Sequence, residues 1–137
     1  MKVVPDTMMW VSYCTLQNGY RHRLIDRAVR QRVRLFVSEY ILEELMRTLV
    51  EGLNQSPRFA MLARNAVLRL ATLVQLPPVI GEHVPGDPND DSIVQTALSA
   101  KADYVVTSDA EILRVGKVQD VQMLTAGQWE ALLAPED

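Results

Sequence analysis

Short apolar runs separated by turn signals divide the chain into strands and helices that alternate almost throughout. Val3-Val4, ending at Asp6, reads as a first buried strand, followed by a loop through Asn18-Gly19 and a helix from about Arg21 to Gln31. Val33 to Val37 alternates apolar and polar residues and predicts a second strand. Ser38 is placed to cap a helix reaching about Val50, with Gly52 to stop it. Pro57 opens a further helix, with Phe59, Leu62, Val67, Leu70 and Leu73 at roughly helical spacing. Val74 to Ile80 contains Pro77-Pro78, so it reads as an edge strand or an extended connection.

The remaining elements are a helix over Ile93 to Ala100, a buried strand over Tyr104 to Thr107, and a short helix from Asp109 to Val115. A last strand, Val121 to Leu124, precedes a last helix, Ala126 to Leu133. Such alternation predicts an α/β fold, a three-layer α/β/α sandwich around a mainly parallel sheet. In that architecture ligands gather at the carboxyl ends of the strands. Asp6 directly follows the first strand, and Asp109 lies just past Val105-Val106-Thr107.

Composition narrows the chemistry. The 137 residues, 48% of them hydrophobic, suit a single domain over 1–137 with one core. No apolar run reaches the roughly 18 residues of a membrane span, and no signal-peptide pattern opens the chain, so a cytoplasmic protein is expected. Cys14 is the only cysteine and His22 and His83 stand apart, which leaves carboxylates as the candidate metal ligands. Oxygen ligands suit hard cations such as Mg²⁺ or Mn²⁺. Net charge is −3, yet Arg21, Arg23, Arg27, Arg30, Arg32 and Arg34 crowd one stretch while acids collect at Glu43-Glu44, Asp87 to Asp91 and the end of the chain. An acidic site beside a basic wall suits a polyanion bound through metal ions.

Each acid also has a purely structural use. Asp6 can begin a turn, Asp87 with Pro88 makes a helix start, Asp90 can close a capping box, and Asp109 can cap the helix after it. Glu43 and Glu44 both flank the apolar stripe Ile41, Leu42, Leu45 and Leu49, and periodicity does not choose between them. Carboxylates from several segments at one sheet edge repel one another unless a cation compensates them. One or two such ions can activate water, neutralise phosphoryl oxygens and assist a leaving oxygen.

The ordered motifs resemble the PIN-domain family, in particular its VapC-like toxin subgroup. They are Val3-Val4-Pro5-Asp6-Thr7, Ser38-Glu39-Tyr40-Ile41-Leu42-Glu43-Glu44-Leu45, Asp87-Pro88-Asn89-Asp90-Asp91, Thr96-Ala97-Leu98 and Ala102-Asp103-Tyr104-Val105-Val106-Thr107-Ser108-Asp109. Val121-Gln122-Met123-Leu124-Thr125 before the last helix is similar to the same subgroup. The resemblance implies a metal-dependent endoribonuclease, the toxin of a toxin–antitoxin pair, with RNA as substrate and an antitoxin protein and a second copy of itself as partners. It implies Asp6, Glu44, Asp90 and Asp109 as metal-binding and catalytic acids and Thr107 as the accompanying hydroxyl. The resemblance, not periodicity, selects Glu44 over Glu43 and Asp90 over Asp91.

Two positions depart from the family pattern. Met8 stands where the family has an asparagine two places after the first acid, and Pro5 replaces an aliphatic residue. A catalytically silent PIN fold that binds RNA or protein is therefore the alternative. Arg23, Arg27 and Arg30 recur at helical spacing, with Arg34 continuing the series, and are candidate phosphate contacts; a solvated face with Asp26 pairing Arg30 explains them equally well, and an antitoxin contact is a third reading. Trp10 and Trp129 read as core or interface residues, Cys14 as a small buried apolar residue, and Met8-Met9-Trp10 as core packing or a dimer surface. A receiver domain lacks its acidic pair here, a haloacid-dehalogenase-like phosphatase would need an acid at Met8, and a dinucleotide enzyme would need a glycine-rich loop.

Overall fold

A computed structural model describes residues 1–136. A six-stranded sheet forms its centre, in the order β3-β2-β1-β4-β6-β5. The strands are β1 (Lys2–Pro5), β2 (Arg34–Ser38), β3 (Ala71–Val74), β4 (Tyr104–Val106), β5 (Lys117–Val118) and β6 (Val121–Leu124). All pairings are parallel except β5 with β6. The helices are α1 (Thr7–Thr15), α2 (Tyr20–Arg30), α3 (Glu39–Arg47), α4 (Pro57–Leu70), α5 (Pro88–Ala100), α6 (Ala110–Val115) and α7 (Ala126–Leu132). This is the expected α/β layering, with a small antiparallel edge added by β5.

Strand burial explains why the middle of the sheet is so apolar. Val3 and Val4 of β1, Leu35, Phe36 and Val37 of β2, and Val105 and Val106 of β4 are all buried. Parallel strands covered on both faces need continuous apolar runs rather than alternation. The alternation read over Val33 to Val37 is therefore corrected: Leu35 to Ser38 are buried without a break. Pro5 sits at the end of β1, and the ladder resumes one residue later, where the Asp6 amide donates to the Val106 carbonyl at 2.9 Å. The missing donor costs no pairing there.

Three further readings change. The stretch after Asp6, expected as loop, is helix α1; Met9, Trp10 and Val11 are buried and Met8 is exposed, so no simple two-faced pattern announces it. Helix α4 buries Ala60, Ala63 and Val67, whereas Leu62 is exposed and Leu73 belongs to β3. Strand β3 ends at Val74, before the prolines, which lie in the connection to α5. Ser38 does cap α3 as predicted, its hydroxyl accepting from the Ile41 amide, and the helix passes into a π-helical turn over Thr48–Gly52.

Trp10 and Trp129 are both fully buried, Met9 joins them in the core, and Cys14 is half-buried. Burial pushes the Cys14 thiol up to about 11, away from nucleophilic use. No helix among the described residues is long and apolar enough to cross a membrane.

Candidate active site

Asp6, Glu44, Asp90 and Asp109 line one cavity of about 200 Å³, together with Met8 and Ser108 and the apolar side chains of Ile93 and Ile112. It lies beyond the carboxyl ends of β1 and β4, where Asp6 follows Pro5 and Asp109 follows Val106 by three residues. The fold thus gathers acids from four segments far apart in the chain. That convergence was expected for the set as a whole.

The structural uses of these acids turn out to coexist with their convergence. Asp6 caps α1, with Oδ1 accepting from the Met9 amide at 3.0 Å. Asp109 caps α6, with Oδ1 accepting from the Glu111 amide at 2.8 Å and the Ile112 amide at 3.3 Å. Each carboxylate therefore faces the positive end of a helix, which offsets part of the mutual repulsion. Thr107 is buried between them: its hydroxyl donates to Asp6 Oδ2 at 2.5 Å and accepts from the Asp109 amide at 3.0 Å. Thr107 does not itself line the cavity, so its place is that of a brace between two acids.

Asp90 is different. Asp87 caps α5 by accepting from the Asp90 amide at 3.2 Å, and Asp90 is left to face the cavity rather than to close a capping box. Its Oδ2 is buried with no hydrogen-bond partner. Burial, a hydrogen bond with Asp87 and the negative charges of Asp109, Asp87 and Glu44 push its carboxyl up to about 7. Burial likewise raises Asp6, against the opposing pull of Thr107, the Met9 amide and the Arg21 charge. Arg21, whose guanidinium donates to the Ser12 hydroxyl at 3.1 Å, is near enough for its charge to favour ionised Asp6, and nothing in the helical spacing singled it out from its neighbours.

The choices left open by periodicity are resolved by packing. Glu43 is exposed, while Glu44 is half-buried, lines the cavity and accepts from the Tyr40 hydroxyl at 2.9 Å. Asp91 turns away to the loop before α5, where its Oδ1 accepts from the amides of His83 and Val84, each at 2.7 Å. Replacing Asp91 by Ala should leave both amides without their acceptor and cost about 1–3 kcal/mol. Chemical denaturation measures the loss, and hydrogen exchange should quicken at His83 and Val84. Unchanged exchange there would remove the anchoring role.

Arg23, Arg27 and Arg30 do not line the acidic cavity. Arg23 donates to the Asn18 carbonyl at 3.0 Å, Arg27 to the Ala134 carbonyl at 2.6 Å, and Arg30 pairs with Glu136. The pairing of Asp26 with Arg30 read from their spacing is replaced by Asp26 with the Tyr13 hydroxyl at 3.0 Å.

As the side chains stand, no group of three His, Cys, Asp or Glu residues among the described residues is set to grip a single ion. Both Asp6 oxygens are engaged in hydrogen bonds, whereas Asp90 Oδ2 has none. The all-oxygen donor set and this orphaned carboxylate oxygen fit a hard divalent cation.

A PIN domain profile matches residues 2–111. Among solved structures, the chain is similar to VapBC2 from Rickettsia felis bound to a DNA fragment from its promoter, with a TM-score of 0.66 and 13% identity, covering 91% of this chain and 98% of the other. It is also similar to VapBC-1 from nontypeable Haemophilus influenzae, with a TM-score of 0.61 and 19% identity, covering 93% and 99%. At these identities the likeness is one of fold. No curated protein matches the sequence.

Proposed function

The chain belongs to the PIN-domain family, and from that premise we propose that it is an Mg²⁺- or Mn²⁺-dependent endoribonuclease, the toxin of a toxin–antitoxin pair. The reading is carried by the acidic cavity, where four carboxylates meet and one buried oxygen, Asp90 Oδ2, has nothing to bind. Asp6, Glu44, Asp90 and Asp109 would hold the ion. The chemistry such an ion would supply there is neutralisation of phosphoryl charge and a lowered pKa for the attacking water.

The chain's own residues prepare that chemistry. Thr107 fixes the Asp6 carboxylate and the start of the loop bearing Asp109 through one hydroxyl. Tyr40 orients Glu44 from one turn earlier on α3. The N-termini of α1 and α6 keep Asp6 and Asp109 in place before any ligand arrives. A site ordered in advance loses less freedom on binding its substrate.

An antitoxin protein is part of the proposal because the two solved structures named above, similar in fold, are VapBC complexes. A homodimer is part of it on the family resemblance alone. The rival reading, a silent PIN fold that only binds, draws on Met8 at the cavity in place of a polar residue.

Cleavage of single-stranded RNA, followed with Mg²⁺ or Mn²⁺ and again with EDTA, decides between them. Cleavage is expected only with metal and should disappear in Asp6→Asn. Expression without a partner should slow growth, and Asp6→Asn should relieve it. RNA binding without metal-dependent cleavage would favour the silent fold, and equal cleavage by Asp6→Asn would remove the mechanism.

A further inference from the structure

A second, larger cavity of about 390 Å³ lies against α2, lined by Tyr20, Arg23, Arg27 and Arg30 and by the acids Asp26, Glu130 and Glu136, of which Asp26 is engaged by the Tyr13 hydroxyl. It shares no lining residue with the acidic cavity. The arginines there are incompletely used. Arg27 Nη2 donates to the Ala134 carbonyl at 2.6 Å, its Nη1 stands 3.7 Å from Glu130, and its Nε is buried without an acceptor. Arg30 pairs with Glu136, but both side chains are largely open to water, at 61% and 47% exposure. An exposed ion pair of this kind gains little from its charge attraction. Tyr20 is also exposed, its hydroxyl donating to Glu130 at 3.2 Å.

An aromatic ring beside a row of guanidinium groups is the chemistry that holds single-stranded nucleic acid, with bases on the ring and phosphates on the cations. The carboxylates of Glu130 and Glu136 and the Ala134 carbonyl occupy the places such phosphates would take. Gln31 steadies the occupying segment, donating to the Ala134 carbonyl and accepting from the Ala134 amide, each at 2.8 Å.

We propose that the Tyr20–Arg23–Arg27–Arg30 cavity is a nucleotide site for single-stranded RNA, and that Glu130 and the Ala134–Glu136 segment occupy it as a displaceable internal competitor. The proposal rests on the reading of the chain as a protein that acts on RNA. It makes RNA affinity depend on a surface that shares no lining residue with the acidic cavity, and it gives Glu136 a restraining role.

Fluorescence anisotropy with a labelled short single-stranded RNA in EDTA tests it without any contribution from cleavage. Glu130→Gln/Glu136→Gln should tighten Kd roughly 5- to 10-fold by freeing the arginines. Arg23→Gln/Arg30→Gln, at two exposed positions, should weaken Kd and flatten the salt dependence by ~0.7 for each phosphate no longer neutralised. Glu51→Gln/Asp120→Asn removes the same charge elsewhere and should leave Kd near that of the unaltered protein. Equal tightening by that control would reduce the effect to net charge and overturn the proposal, as would unchanged Kd in the arginine variant. Binding of an acidic peptide that follows these substitutions while RNA binding ignores them would overturn it in favour of a peptide site. Because no divalent ion is present, loss of the nuclease reading and loss of this one are separate results.

Discussion

Asp90→Asn is expected to cut metal-dependent RNA cleavage by at least about 10³-fold while making the metal-free protein more stable at alkaline pH. Two effects of opposite sign come from one side chain. Asp90 is buried, hydrogen-bonded to Asp87 and surrounded by Asp109, Asp87 and Glu44, and its folded carboxyl titrates near 7 against an ordinary 3.8. The folded state therefore holds the proton more tightly than the unfolded chain does. Below about pH 4 both states carry it, and Asp90 makes no difference. As pH rises from about 4 to about 7 the unfolded chain gives up its proton first, so folding stability falls, and the full penalty persists above 7.

Asn carries no charge and escapes that penalty. The variant should match the unaltered protein near pH 4 and exceed it at pH 8 by on the order of 1 kcal/mol, roughly 3–6 °C in Tm. Thermal melts in EDTA across this range measure the gap. Added Mn²⁺ should raise the Tm of the unaltered protein at pH 8 and have much less effect on Asp90→Asn. A variant that melts lower at every pH would mean that Asp90 serves the fold rather than a ligand.

The second large effect concerns the helix that presents Asp6. Trp10 lies one turn into α1, fully buried, with its ring edge-on to Tyr13 at 5.9 Å between centroids. Trp10→Ala should cost about 3–5 kcal/mol through lost burial and the void left behind. Urea denaturation should show the loss as a lower midpoint. Trp10→Phe should cost far less, because the indole Nε1 is buried without an acceptor and its removal relieves an unmet donor. If Phe proves as harmful as Ala, the ring nitrogen has a partner that holds the fold. Both variants should lose cleavage only as far as they lose fold.

Recognition of the acids drew on two kinds of information. Asp87 with Pro88 is a short-range helix-start signal and the helix does begin there, because capping depends only on neighbouring residues. Asp6 was read only as the start of a turn, and although it caps α1, the run Met8 to Val11 lacked a polar face to identify the helix. A helix lodged beneath other elements buries residues on most of its surface, and periodicity then falls silent. The choice of Glu44 over Glu43 shows the same limit from the other side. Both flank one stripe, and only the approach of α1, α5 and the segment after β4 makes one side of that stripe a cavity and the other open solvent.

The arginines were legible as a cluster but not in their partners. Helical spacing put Arg23, Arg27 and Arg30 together, whereas Glu130, Ala134 and Glu136 reach them from the far end of the chain. By itself the sequence determined most of the alternating elements and the helix starts at Ser38 and Asp87, since these are set by apolar runs and by hydrogen bonds a few residues long, whereas the choice of Glu44 and Asp90 came from the family resemblance. Only the tertiary structure decided that Thr107 braces Asp6 against Asp109, that Asp90 is left with an unpaired oxygen, and that the basic face of α2 is held by the chain's own acids. Those outcomes depend on which distant segments become neighbours, and local patterning carries no record of that.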